Sequence, residues 1–125
     1  MAKRKVMIVD DEEDFLRITK INLESTGNYE VLAISNGKEA IEKVPDFKPD
    51  VILLDILMPK MDGTEICSIL NEDPIGRNIP IITLSALDSD KDKLTMFKRG
   101  VVDYLTKPIE KEQLIEKIEK ALRYK

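Results

Sequence analysis

Short apolar runs alternate five times with amphipathic stretches of helical length, and this alternation constrains the fold more than any other feature of the sequence. Two runs, Lys5 to Val9 and Val51 to Leu54, are rich in Val and Ile and are each followed by an aspartate. Apolar runs of this length are typical of parallel strands that are buried on both faces. The other predicted strands are Tyr29 to Ile34, Pro80 to Leu84 and Val101 to Leu105. Together the five runs predict a largely buried parallel sheet.

The stretches between these strands have the apolar spacing of helices that pack on one side. The predicted helices are Glu12 to Ser25, Gly37 to Val44, Thr64 to Asn71, Ser89 to Lys98 and Lys111 to Tyr124. Pro45 is expected near the end of the second helix because proline cannot donate a backbone hydrogen bond. Alternating strands and helices predict an α/β fold with a mostly parallel central sheet and helices on both faces. The length fits one domain spanning residues 1–125.

Composition excludes several classes of function. The formal net charge of −4 offers no broad attraction for nucleic acid or an anionic membrane. The apolar runs are far shorter than the roughly 18 residues of a membrane span, and no signal-peptide pattern opens the chain. We therefore expect a cytoplasmic protein that binds neither nucleic acid nor membrane directly.

Carboxylates are the main candidates for chemistry. The chain has no histidine, which removes the usual base of hydrolytic triads and the main ligand of zinc. Its single cysteine, Cys67, cannot form an internal disulfide and is expected to be a small, partly buried helical residue without a functional role.

Polar residues follow the predicted strands at the edge of the sheet where ligands of such folds bind. The residues at these strand ends are Asp10 and Asp11, Ser35, Asp55, Ser85 and Ala86, and Thr106 and Lys107. If the first and third strands are neighbours, Asp10, Asp11 and Asp55 converge. Two like charges about 4 Å apart repel by up to about 4 kcal/mol at an effective dielectric constant near 20. A cation is needed to relieve that repulsion.

Hard oxygen ligands without histidine or cysteine favour Mg²⁺, for which Mn²⁺ can substitute. The acidic run from Asp10 to Asp14 also has a simpler explanation, because acidic residues interact favourably with a helix N-terminus. We prefer that explanation for Glu12, Glu13 and Asp14. It does not account for an aspartate, a hydroxyl and a lysine at the ends of three other strands.

Four motifs at these strand ends resemble the receiver domain of two-component response regulators, over about Lys5 to Leu122. They are Val9-Asp10-Asp11-Glu12, Asp55-Ile56-Leu57-Met58-Pro59-Lys60-Met61-Asp62-Gly63, Leu84-Ser85-Ala86 and Asp103-Tyr104-Leu105-Thr106-Lys107-Pro108. The resemblance implies a flavodoxin-like, doubly wound (βα)5 fold with strand order 2-1-3-4-5. It also implies a cis peptide bond between Lys107 and Pro108.

The resemblance further implies a role for each residue at the strand ends. Asp55 resembles the phosphoacceptor. The metal ligands of the family correspond to Asp10, Asp11, Asp55 and the backbone carbonyl of Leu57. Ser85 and Lys107 are similar to the two residues that bind phosphoryl oxygens, and Tyr104 matches an aromatic switch position. Taken singly, Ser85 could instead cap a helix, Lys107 could be a solvated surface charge and Tyr104 an ordinary core residue.

The function that the resemblance implies is that of a signalling domain, not of an enzyme that turns over substrates. A sensor histidine kinase or histidine phosphotransfer protein would donate a phosphoryl group to Asp55 with Mg²⁺. Ser85, Lys107 and Tyr104 would then change the face formed by the fourth predicted helix, the fifth strand and the last helix. The readout would be a downstream protein or a C-terminal output domain.

Two other functions are compatible with a reactive aspartate at a strand end. A phosphatase with Asp55 as its nucleophile would need a second acid nearby, whereas position 57 is leucine. A flavin-phosphate binding module would need a phosphate cradle rich in Gly, Ser and Thr, whereas the first turn is acidic.

Overall fold

A computed structural model describes residues 2–56, 63–85 and 101–123. Its five strands are β1 (Arg4–Val9), β2 (Tyr29–Ile34), β3 (Val51–Asp55), β4 (Ile81–Ser85) and β5 (Val101–Thr106). They form one parallel sheet in the order β2-β1-β3-β4-β5, which confirms the predicted topology. The chain runs from β1 to β2 on one side and then crosses back over β1 to reach β3 on the other side, so the carboxyl ends of β1 and β3 are adjacent.

The helices in the described residues are α1 (Glu13–Glu24), α2 (Gly37–Phe47), α3 (Gly63–Glu72) and a C-terminal helix (Lys111–Arg123), with a short 3₁₀ turn at Gly76–Asn78. Their positions confirm four of the five predicted helices. The predicted helix over Ser89 to Lys98 lies outside the described residues. Within the part of the chain that the structure describes, no helix has the length and apolar character to cross a membrane.

The helices cover both faces of the sheet because successive strand residues point to opposite sides. On one face, α1 and the C-terminal helix bury side chains such as Leu23 and Ile118 against Ile8 and Leu53. On the other face, α2 and α3 pack residues such as Val44 and Ile66 against the sheet. The sheet is thereby covered on both faces by packed helices.

Most element bounds differ from the predicted ones by one or two residues, and two larger differences concern α2 and Cys67. Helix α2 runs through Pro45 to Phe47 instead of ending at Val44. The lost hydrogen bond at Pro45 is tolerated because Phe47, in the last turn, packs against the core and lies 5.5 Å from the Lys5 ammonium. Cys67 is fully buried, not partly buried, because it lies on the face of α3 that meets the sheet.

Tyr29 ties the edge strand β2 to the C-terminal helix. Its hydroxyl donates a hydrogen bond of 3.0 Å to Glu119 Oε1, and its ring is buried. Burial, the hydrogen bond to Glu119 and the negative charge of Glu119 raise the pKa of Tyr29 from 10.0 to about 12. The neutral phenol is therefore the form that the folded state favours.

The Tyr29 contact predicts a pH dependence of stability. The contribution of the neutral phenol is complete below pH 10 and is lost as the pH rises to about 12, because the unfolded chain ionises first. Tyr29→Phe should lower the free energy of unfolding by about 1 kcal/mol at pH 7. Urea unfolding of both proteins at several pH values tests this, and a difference that does not shrink between pH 10 and 12 would contradict it.

Candidate functional site

Asp10, Asp55 and Lys107 meet at the carboxyl edge of the sheet. Asp10 directly follows β1, and its backbone N–H donates to Ile34 O of β2, so the sheet's hydrogen bonding continues through this residue. Asp55 is the last residue of β3, and Lys107 directly follows β5. The Lys107 Nζ lies 2.7 Å from Asp10 Oδ2 and 3.9 Å from Asp55 Oδ2. The convergence predicted from the strand ends is thus present.

Three carboxylates at this edge are close enough to share a metal ion. One oxygen from each of Asp10, Asp11 and Asp55 lies within 4.8 Å of the others. Asp10 and Asp55 are buried, whereas Asp11 is exposed. Two oxygens bound to Mg²⁺ at about 2.1 Å can be at most about 4.2 Å apart, so a small movement brings this set into range. The donors are all hard oxygens, and they fit a divalent cation of that kind.

In the described residues, Lys107 pairs with this cluster and offsets part of its negative charge. Its side chain is only 14% exposed, and its ammonium donates to Asp10 Oδ2 at 2.7 Å and to Glu12 Oε1 at 2.9 Å. The ring centroid of Phe15 lies 4.4 Å from the Nζ, within range of a cation–π contact. Lys107 is therefore not the solvated surface charge that was one alternative.

The pKa of Lys107 reflects two opposing effects. Burial by itself lowers the pKa of an ammonium, but hydrogen bonds to Asp10 and Glu12, with the charges of Asp10 and Asp55, outweigh it and raise the pKa above 10.5. Lys107 stays charged at neutral pH, so its ammonium is available to bind an anionic group placed at the site.

Glu12 and Phe15 are site residues that the sequence prediction did not identify. The sequence explains Glu12 as an acid favoured near a helix N-terminus, but its carboxylate also binds the Lys107 ammonium, just before α1 begins. Phe15, three residues later, contacts the same ammonium. Residues three apart lie on one face of a helix. The spacing between Glu12 and Phe15 is therefore the sequence signal that places both side chains on the same side of α1.

The remaining predicted residues lie at or near the same edge. Ser85 is the last residue of β4 and pairs in register with Thr106 of β5. Tyr104, in β5, is partly exposed, and its backbone N–H donates to Asp103 Oδ1. The Lys107–Pro108 peptide bond is cis, as the resemblance implied. Leu57 and Ala86 lie outside the described residues.

Comparisons with known proteins agree with this geometry. The family model described as "Response regulator receiver domain" matches residues 6–119. The alkaline phosphatase synthesis transcriptional regulatory protein PhoP of Bacillus subtilis is 38% identical over 120 residues, which cover 96% of this chain and 49% of PhoP. The response regulator PleD of Caulobacter vibrioides is 36% identical over 97% of this chain and 26% of PleD. The chain thus spans half or less of the length of these relatives.

Solved structures with a similar fold include response regulators and a chemotaxis protein. Chemotaxis protein CheY4 of Vibrio cholerae superimposes with a TM-score of 0.92 at 30% identity, covering 97% of this chain and 100% of CheY4. A two-component response regulator from Clostridium difficile has a TM-score of 0.89 at 30% identity, with 97% of each chain covered. From its sequence match, its strand order and these structural neighbours, this chain belongs to the response regulator receiver domain family.

Proposed function

We propose that Asp55 accepts a phosphoryl group from a phosphohistidine on a partner protein, and that residues 1–125 work as one receiver domain. The observation that carries this proposal is the meeting of a buried aspartate with an acidic pair and a charged lysine at one edge of the sheet. A carboxylate nucleophile, cation ligands and an anion-binding ammonium are the parts that phosphoryl transfer needs.

The transfer exchanges one bond to phosphorus for another. A carboxylate oxygen of Asp55 attacks the phosphorus, and the bond between phosphorus and the imidazole nitrogen breaks. The electron pair of that bond stays on the imidazole, and the product is an acyl phosphate on Asp55. The donor histidine belongs to the partner, because this chain has none. The proposed partner is a sensor histidine kinase or a histidine phosphotransfer protein.

The acidic cluster is proposed to hold Mg²⁺, or Mn²⁺ in its place. Asp10, Asp11, Asp55 and the backbone carbonyl of Leu57 would supply its ligands. A bound divalent cation neutralises charge on phosphoryl oxygens during transfer. The Lys107 ammonium, already 3.9 Å from Asp55, would bind a further phosphoryl oxygen, and Ser85 would bind another.

The new charge on Asp55 is proposed to change a distant surface. Lys107 and Ser85 would move toward the phosphoryl group, and Tyr104 would turn inward beside Ala86. The affected face would comprise the predicted helix over residues 89–98, β5 and the C-terminal helix. A local charge change of this kind shifts an equilibrium between two packings by its different affinity for each.

We propose that the response to phosphorylation is carried out by another protein or domain, and not by a reaction that this domain catalyses on a substrate. The domain would promote only its own phosphorylation and dephosphorylation, and would work in the cytoplasm through a downstream protein or a C-terminal output domain. Its net charge of −4 supports a role without direct binding of nucleic acid or membrane.

Incubation with acetyl phosphate and Mg²⁺, followed by intact mass spectrometry, tests the proposal. The wild type should gain the mass of one phosphoryl group, whereas Asp55→Ala should gain none and Asp46→Ala, an exposed aspartate of α2, should behave like the wild type. A phosphorylated histidine kinase should also label the wild type. Rapid turnover of many phosphate esters would favour a phosphatase, and a bound yellow chromophore would favour a flavin module.

A further inference from the structure

The Lys107 ammonium is held by a closed ring of contacts in which Glu12 takes part twice. The backbone N–H of Glu12 donates to Asp10 Oδ1 at 2.9 Å, and Asp10 Oδ2 accepts from the Lys107 ammonium at 2.7 Å. The Glu12 carboxylate then accepts from that ammonium at 2.9 Å. The contact between Lys107 and Asp55 is longer, at 3.9 Å. Lys107 is thus drawn toward Asp10 and Glu12.

Phe15 also contacts the Lys107 ammonium. Its ring packs partly against the core beneath α1, and its centroid lies 4.4 Å from the Lys107 Nζ. Because Glu12 just precedes α1 and Phe15 lies in its first turn, the helix presents a carboxylate and a ring face together. The residues at the start of α1 therefore contact the ammonium of Lys107 with both a carboxylate and an aromatic ring.

We propose that Glu12 is a positioning residue that holds Lys107 away from Asp55 and competes with the phosphoryl group for its ammonium. This inference rests on the proposed function, because it concerns how readily Lys107 reaches the phosphorylated Asp55. As the ammonium moves toward a phosphoryl oxygen on Asp55, its contact with Glu12, now 2.9 Å, would lengthen. Glu12 would thereby lower the rate of phosphorylation of Asp55 without contacting the reacting atoms.

The exposure of Glu12 limits how much it can change the rate of phosphorylation. Its side chain is 64% exposed, so solvent screens its attraction for Lys107. Exposed ion pairs of this kind change an equilibrium by up to about fivefold. Glu12→Ala should accordingly raise the rate of phosphorylation by acetyl phosphate by about two- to fivefold.

Charge and contact can be separated by three variants. Glu12→Asp keeps the charge but is shorter by one methylene, so it should lose the contact and raise the rate as Glu12→Ala does. Glu13→Ala removes one negative charge from the neighbouring exposed position and should leave the rate near that of the wild type. In a Lys107→Met background, Glu12→Ala should have no further effect. A fast Glu12→Ala with an unchanged Glu12→Asp, or an effect that persists without Lys107, would overturn the proposal.

Crystal structures of the unphosphorylated wild type and Glu12→Ala, without divalent cations, test the positioning independently of phosphorylation. In Glu12→Ala the Lys107 Nζ should move from 3.9 Å to hydrogen-bond distance of Asp55 Oδ2. If the ammonium stays in place, Glu12 does not position it, and the inference fails. If the ammonium moves but the wild type takes up no phosphoryl group, the proposed function fails while the positioning role of Glu12 stands.

Discussion

Lys107→Met should lower the free energy of unfolding by about 3 kcal/mol in buffer without divalent cations. Methionine retains much of the side-chain volume but leaves Asp10, which is fully buried, without its cation. Asp55 and Asp11 lie close by, so the repulsion among the three carboxylates would no longer be balanced. Urea unfolding followed by far-ultraviolet circular dichroism measures the change.

Lys117→Met provides the matched control for this prediction. Lys117 pairs with Asp103 at 3.1 Å, but the two side chains are 29% and 15% exposed and lie away from the acidic cluster. That substitution should cost only about 1 kcal/mol. Saturating Mg²⁺ should narrow the difference in stability between Lys107→Met and the wild type, and should leave the difference between Lys117→Met and the wild type unchanged. Equal losses in the two variants, or a loss that Mg²⁺ does not change, would show that Lys107 does not balance the cluster.

Removal of divalent cations should slow phosphorylation by acetyl phosphate about a hundredfold or more. Without a cation, the carboxylates of Asp10, Asp11 and Asp55 repel the incoming phosphoryl oxygens, and Lys107 alone does not neutralise them. The experiment compares rates in EDTA, after restoration with Mg²⁺ or Mn²⁺, and with Ca²⁺.

The choice of ions makes this prediction specific. Mn²⁺ should restore the rate, whereas Ca²⁺ should restore less because its bonds to oxygen are 2.3–2.6 Å long and its geometry is looser. Asp11→Asn, which replaces the exposed carboxylate of the cluster and leaves the two buried ones, should require a higher Mg²⁺ concentration. A rate in EDTA equal to that in Mg²⁺ would show that phosphorylation does not depend on a divalent cation.

The fold was predictable because strand and helix patterns in this sequence agree with its packing. The runs around Val6 to Val9 and Val51 to Leu54 are continuous and apolar, and both strands are buried on both faces. The end of α2 was not predictable in the same way. The helix continues through Pro45 to Phe47, which packs against the hydrophobic core. That packing depends on the tertiary structure and is not visible in the local sequence.

The site was predictable to the extent that it depends on strand ends. Asp10, Asp55 and Lys107 come together because parallel strands bring their carboxyl ends to one edge. The part played by Glu12 was missed because helix decoration explains an acid at that position equally well. Its distinguishing contact is with a residue 95 positions away in the sequence, so the pairing cannot be read from local pattern.

Locating the phosphoryl group in the chain tests whether Asp55 is the phosphoacceptor. The wild type would be phosphorylated with acetyl phosphate and Mg²⁺, reduced with borohydride to convert an aspartyl phosphate to homoserine, digested and sequenced by tandem mass spectrometry. We predict homoserine at position 55 and at no other aspartate, and none at position 55 without the phosphodonor. Homoserine at Asp10 or Asp11, or a protein that takes up no phosphoryl group, would contradict the assignment of Asp55 as the phosphoacceptor.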